Sequence, residues 1–161
     1  MLEGPADVPV AVIGSGGFGT ALSALLASKG LEVRQWCRNP GLAQTLNNRR
    51  ENTKYLPGVK LPLNVWVTSS LQDAVDGAEV IVTAVPSQAV RETVQKFSPF
   101  VEHGAKILNV AKGIEHDTYL RMSEVIQSEL PDSPVASLSG PNHAEEIARG
   151  QPGATVIASH H

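Results

Sequence analysis

The chain has 161 residues, of which 42% are apolar and 18% charged, with a formal net charge of −3. That length suits one domain that buries roughly 70% of its unfolded surface, and the balance excludes fibrous and disordered classes. No basic run exceeds Arg49-Arg50, which speaks against a nucleic-acid face, and the single cysteine, Cys37, excludes an internal disulfide.

The opening "MLEGPADVPVAVIG" has no basic segment ahead of its apolar run, which argues against a secretory signal. No apolar stretch approaches the roughly 18 residues that span a bilayer. The expectation is a soluble cytoplasmic protein.

In chain order, "VPVAVIG" (8–14) has the length and β-branched content of a buried strand. A helix over 20–30 stops at Gly30, and 32–38 is a second strand. Pro40 opens a helix over 40–51. Residues 52–64 form a loop punctuated by Pro57, Gly58 and Pro62. A strand at 65–69 and a short helix at 71–78 come next. The apolar run "EVIVTAVP" (79–86) is the strongest strand. Then come a helix at 88–97, a strand at 106–113, a helix at 118–129, a strand at 135–141, a helix at 143–149 and a strand at 154–159.

Strands and helices alternate throughout, and the strands read as continuous rather than alternating, as when both faces are covered. This predicts a doubly wound, mostly parallel α/β sheet. The last strand has no helix after it and the chain ends on His160-His161, which favours a cut between domains over a natural terminus.

Gly14-x-Gly16-x-x-Gly19, with Gly17 beside them, comes after a predicted strand and opens a predicted helix. Here the first glycine permits a tight turn, the second lets backbone approach a pyrophosphate, and the third lets helix and strand pack closely. The helix N-terminus adds free N–H groups. No Gly-Lys-Ser/Thr comes after it, so the loop is not a Walker loop. It predicts dinucleotide binding. At the end of the second strand, "WCRN" offers no acid for a ribose 2′-OH; Arg38 suits a 2′-phosphate, which favours NADP with NAD possible.

Ligands of such sheets lie outside the carboxyl ends of the strands. There Pro86-Ser87 is a candidate cofactor wall, and Lys112 a candidate to attract a phosphate or polarise a carbonyl. Asn142, near a helix cap after Gly140-Pro141, marks an anion site. Glu145 and Glu146 read as a solvated helix face. His103, His116 and His143 lack metal-ligand spacing, and no Ser/His/Asp nucleophile arrangement is visible.

Taken together, "GSGGFGTAL", "WCR", "ENTKYLPGVKLP", "AVPSQAV", "AKGIE" and "LSGPNHAEEI" resemble, in order and spacing, the N-terminal domain of NAD(P)-dependent glycerol-3-phosphate dehydrogenase of the bacterial type. The resemblance spans nearly the whole chain. It implies a Rossmann-type NAD(P)-binding domain over 1–161 and hydride transfer between NAD(P)H and dihydroxyacetone phosphate, feeding phospholipid synthesis. By position it implies cofactor contacts from Gly17, Phe18, Arg38 and Ala144, contacts to cofactor and substrate from Lys112, and substrate contacts from Gly140 and Asn142. Members of the family are about twice as long and usually dimeric. A second, helical domain carries their general acid/base lysine, and no residue here matches it. The expected catalytic set within this chain is therefore empty, and little or no turnover is expected of it. The alternatives are the cofactor domain of a 6-phosphogluconate- or ketopantoate-type reductase, or a nucleotide-sensing module without catalysis.

Overall fold

Six parallel strands run side by side in a computed structural model that describes residues 8–160. Residues 1–7, on which the signal-segment expectation rests, and the terminal His161 lie outside the described residues.

The elements are β1 (Val10–Ile13), α1 (Gly17–Ser28), β2 (Val33–Trp36), α2 (Pro40–Arg49), β3 (Glu51–Asn52), β4 (Leu56–Lys60), β5 (Val65–Thr68), α3 (Leu71–Val75), β6 (Val80–Thr83), α4 (Val90–Phe97), β7 (Lys106–Asn109), α5 (Met122–Glu129), β8 (Val135–Ser139), α6 (Ala144–Ala148) and β9 (Val156–Ser159). The main sheet has the order β5-β2-β1-β6-β7-β8-β9. Only the β8–β9 pair in it is antiparallel. The predicted doubly wound α/β class is what forms.

Each central strand sends alternate side chains into two separate cores. Ala11 and Ile13 of β1 and Ile81 of β6 join Val75, Phe97 and Ile126 from α3, α4 and α5. Val12 and Val82 join Ala24, Ala27 and Leu46 from α1 and α2. Helices on both faces explain why β1 and β6 carry consecutive apolar residues, at 10–13 and 80–82, rather than alternate ones.

Strand order reverses between β1 and β6, since the chain leaves β1 toward β2 and later returns to β1's other edge. Such a switch point opens a crevice at the carboxyl ends. The register brings those ends level: Ile13 pairs with Thr83, Thr83 with Asn109 and Asn109 with Ser137.

Several boundaries differ from the sequence expectation. Helix α1 begins at Gly17, three residues early, because the first turn of a helix needs few intrahelical bonds and tolerates glycine. The helix expected to reach residue 51 ends at Arg49, where Arg50 turns left-handed with φ 54°. The expected loop 52–64 instead contains an antiparallel hairpin, β3–β4, pinned by a Lys60–Glu51 ion pair of 2.7 Å. The helix expected from 118 starts at Met122, after Tyr119 at φ 58° breaks the chain direction. The strands expected to reach 86 and 113 stop at Thr83 and Asn109, and the residues just beyond those two ends build the cleft.

Candidate functional site: a cleft at the strand reversal

Two clefts meet at the carboxyl rim, of about 390 Å³ and about 350 Å³. Gly16, Ala84, Val85 and Pro86 line both, so the two are halves of one crevice with a common wall. The larger half runs from Gly17, Phe18 and Gly19 to Lys112, Gly140 and Asn142. The smaller runs from Gly14 past Trp36 to Arg38 and Asn39. An extended ligand with two ends and a narrow waist fits this shape.

At the waist, backbone geometry requires glycine. Gly14 has φ +133°, and a Cβ on it would lie 2.3 Å from the Ala84 carbonyl oxygen. A Cβ on Gly19 would lie 2.4 Å from the Gly14 oxygen, so β1 and α1 pack in direct backbone contact. Gly16 is different. Nothing lies within 4 Å of its Cβ position, so its free side faces the crevice. No side chain caps α1, which leaves its first-turn N–H groups and the positive end of its dipole to a ligand. An anion with a close-fitting backbone approach, such as a diphosphate, matches this cradle.

Lys112 lies just beyond β7 and its Nζ donates to the Gly140 carbonyl at 2.8 Å, across the larger cleft. Asn142 Nδ2 donates to Thr155 Oγ1 at 3.0 Å, so the segment between β8 and β9 folds back on itself. Of the residues expected in the site, Gly14, Gly16, Gly17, Phe18, Gly19, Arg38, Pro86, Lys112, Gly140 and Asn142 line the two halves. Ala144 lines neither. It opens α6 and packs 3.6 Å from a Cβ position on Gly17. His103, His116 and His143 are exposed outside the crevice, and Glu145 and Glu146 are exposed on α6. Among the described residues no group of three His, Cys, Asp or Glu side chains is placed to hold a metal ion.

Three supporting groups have no part in the sequence expectation. Asn109, buried at the end of β7, accepts from the Ala111 N–H and Thr83 Oγ1 and donates to the Ala111 carbonyl and Ser137 Oγ. It ties three strand ends together beneath Lys112. Gln35 and Asn52, both fully buried, reach the glycine loop from below. Arg91 on α4 donates to both oxygens of Glu115 at 2.8 Å and also to Glu129, while Gln88 donates to the Ile114 carbonyl. These bonds hold the loop beyond Lys112. Only "ENTKYLPG" and "AKGIE" signal any of this, as motif segments whose Asn52 and Glu115 have no assigned part.

Arg91, and then Thr118, hold the Glu115 carboxyl down to about 2. A carboxylate depressed on folding stabilises the chain above its unfolded pKa, near 4.3, and loses that contribution as pH falls toward 2. The urea midpoint is therefore expected to drop between about pH 5 and pH 2. Arg91→Met is expected to flatten that acid limb. An unchanged limb in the variant would remove the pair from the acid response.

The family described as NAD-dependent glycerol-3-phosphate dehydrogenase N-terminus matches residues 9–161. A glycerol-3-phosphate dehydrogenase [NAD(P)+] of Chlorobium phaeobacteroides is 54% identical over 153 residues, which are 93% of this chain and 46% of that protein. The chain thus spans about half the length of the curated relatives it matches. The crystal structure of a glycerol-3-phosphate dehydrogenase from Coxiella burnetii superposes with a TM-score of 0.91 at 32% identity, covering 98% of this chain and 48% of that one. A ketopantoate reductase from Ralstonia eutropha shares the fold alone, with a TM-score of 0.66 at 22% identity over 83% of this chain and 41% of that one.

Proposed function

Because the chain belongs to the NAD-dependent glycerol-3-phosphate dehydrogenase N-terminus family, we propose that it is the cofactor-binding half of an enzyme that interconverts dihydroxyacetone phosphate and sn-glycerol 3-phosphate. The observation that carries this is the two-part crevice at the strand reversal, with the open side of Gly16 at its waist.

The bound dinucleotide supplies a hydride donor and acceptor at its nicotinamide. The residues of this chain bind and orient. The α1 N–H groups and the bare Gly16 backbone hold the diphosphate. Arg38, at the rim of the smaller half, takes the adenosine end. Val85 and Pro86 wall both halves. Lys112 presents a cation at the far end, beside Gly140 and Asn142, where a phosphorylated ketone sits. Lys112 is bonded to a carbonyl, and we give it an electrostatic part rather than proton transfer. The proton donor belongs to the remaining half of the relatives' length.

The whole protein is proposed to act in the cytoplasm as a homodimer, supplying glycerophospholipid synthesis. No helix among the described residues is long and apolar enough to cross a membrane.

The test is direct. These 161 residues are expected to bind NADPH in a fluorescence titration and to oxidise it negligibly with dihydroxyacetone phosphate. Turnover in the ordinary dehydrogenase range, about 1–1000 per second, would overturn the assignment of the proton donor to another segment. Absence of NADPH binding would overturn the cofactor reading itself.

Cofactor choice has its own measurement. Arg38→Ala is expected to weaken NADPH binding about tenfold, the scale of a charge-assisted hydrogen bond to a 2′-phosphate, with NADH affected far less. Equal losses by calorimetry would reject that part for Arg38.

A further inference from the structure

A buried polar cluster lies directly beneath the glycine loop, on the side away from the cleft. Asn52 Nδ2 donates to the Ser15 carbonyl at 2.9 Å and to Thr20 Oγ1 at 2.8 Å. Gln35 Nε2 donates to the Gly14 carbonyl at 3.0 Å. Asn52, Gln35 and Thr20 are all 0% exposed. Asn52 Oδ1 in turn accepts from the Tyr55 N–H at 3.3 Å, closing the β3–β4 hairpin. The hairpin backbone also touches the loop, since a Cβ on Gly17 would lie 2.8 Å from the Tyr55 carbonyl oxygen.

The chemistry of these bonds has a direction. A loop that binds a diphosphate must show the ligand its N–H groups and hide its carbonyl oxygens, because a carbonyl dipole aimed at an anion repels it. In a low-dielectric setting that repulsion is felt strongly. Two consecutive carbonyls, Gly14 and Ser15, are held toward the interior by side-chain amides that have no exposure to water. Burying an amide is costly unless it is hydrogen-bonded. Asn52 is bonded through both its nitrogen and its oxygen and is held against fixed partners. Gln35 is bonded through its nitrogen alone, and its buried Oε1 has no partner among the described residues. The Asn52 amide bonds the loop and the first turn of α1 at once, across 37 and 32 residues of sequence.

We infer that Asn52, carried on the β3–β4 hairpin, is a positioning residue for the diphosphate, fixing the glycine loop with its carbonyls inward and its N–H groups toward the ligand. This inference rests on the dinucleotide reading of the crevice. Gln35 assists from β2. The hairpin is thereby part of the cofactor site without lining the waist itself, and its Asn52 acts only through the loop.

The experiment separates a positioning part from a merely structural one by ligand. Asn52→Leu keeps approximate volume and removes the donor. It is expected to weaken NADPH and ADP-ribose about tenfold, since both carry the diphosphate. Adenosine 2′-monophosphate, which lacks it and reaches only the Arg38 end, is expected to change less than about twofold by NMR titration. Equal loss for all three ligands, or loss for none, overturns the inference. If the wild-type chain binds neither NADPH nor ADP-ribose, the dinucleotide reading fails instead. Should Asn52→Leu not fold, Asn52→Ser replaces it, its hydroxyl too short to reach Ser15. The wild-type chain supplies an independent readout. Inorganic pyrophosphate is expected to shift the Asn52 side-chain amide protons together with the Gly17 N–H, and an unmoved Asn52 amide counts against the inference.

Discussion

Gly14→Ala is expected to destabilise the chain by about 3 kcal/mol or more, whereas Gly16→Ala is expected to fold normally and fail to bind NADPH. The two glycines are two residues apart and are constrained by opposite surroundings. Gly14 has φ +133°, a conformation that costs an alanine about 1–3 kcal/mol. Its methyl would also enter the Ala84 carbonyl at 2.3 Å, and because that atom is backbone at the end of the adjacent strand, β1 and β6 must part for it. Overpacking of this kind adds about 1–3 kcal/mol. For a chain of this length the sum lowers the melting temperature by roughly 10 °C. Gly16 has an ordinary φ of −70° and open space at its Cβ position. Alanine there costs no more than about 1 kcal/mol as a poorer N-cap. The methyl instead fills the side that faces both halves of the crevice, where a diphosphate needs the bare backbone. Thermal melts and NADPH titrations on the pair check this. Similar melting temperatures for the two variants would refute the packing argument, and retained binding in Gly16→Ala would refute the site.

The second large effect is expected at Asn109. Replacement by leucine keeps the volume and removes four hydrogen-bonding contacts at once. The Ala111 N–H and carbonyl lose their side-chain partner, as do the Thr83 and Ser137 hydroxyls. A buried polar group left unpaired costs about 1–3 kcal/mol, and water reaches only part of this cluster, since Asn109 is 3% exposed and Thr83 1%. A total loss of about 3 kcal/mol is expected, read as a lower urea midpoint with an unchanged slope. Because the Ala111 bonds set the turn that carries Lys112, the variant is also expected to lose affinity at the nicotinamide end. A destabilisation below about 1 kcal/mol would mean that the strand ends hold their level without this side chain.

The fold is legible in the sequence because the information lies in short windows. Runs such as 80–82 of β6 are apolar at every position, which signals a strand covered on both faces, and the helices between them require a parallel sheet. The glycine loop is legible because three positions each answer a separate steric demand. The features that escape a sequence reading depend on distant partners. Pro57 and Gly58 punctuate a segment like a turn, yet Leu56 is fully buried and the segment pairs with Glu51 and Asn52. Gln35 in a strand reads as a polar interruption until the Gly14 carbonyl, 21 residues earlier, is found beside it. The start of α5 is hidden because its cap is an arginine: the Arg121 N–H donates to Glu124, and no Ser, Thr, Asp or Asn occupies the cap position. Glu115 looks like one more surface acid, and only the folding of α4 against α5 brings Arg91 to it.

The common wall of Ala84, Val85 and Pro86 has a consequence for how tightly a ligand is held. Under the proposed dinucleotide reading, each half of the crevice alone seats one mononucleotide end. A molecule that occupies both halves binds its second end intramolecularly, at an effective concentration set by the short diphosphate tether. Such chelation strengthens binding by about 100- to 10,000-fold without any new contact. The two seats are therefore unequal to their sum. Separate mononucleotides compete poorly with the joined molecule, and a small displacement of the wall that misaligns the halves forfeits the chelate gain while leaving each seat intact.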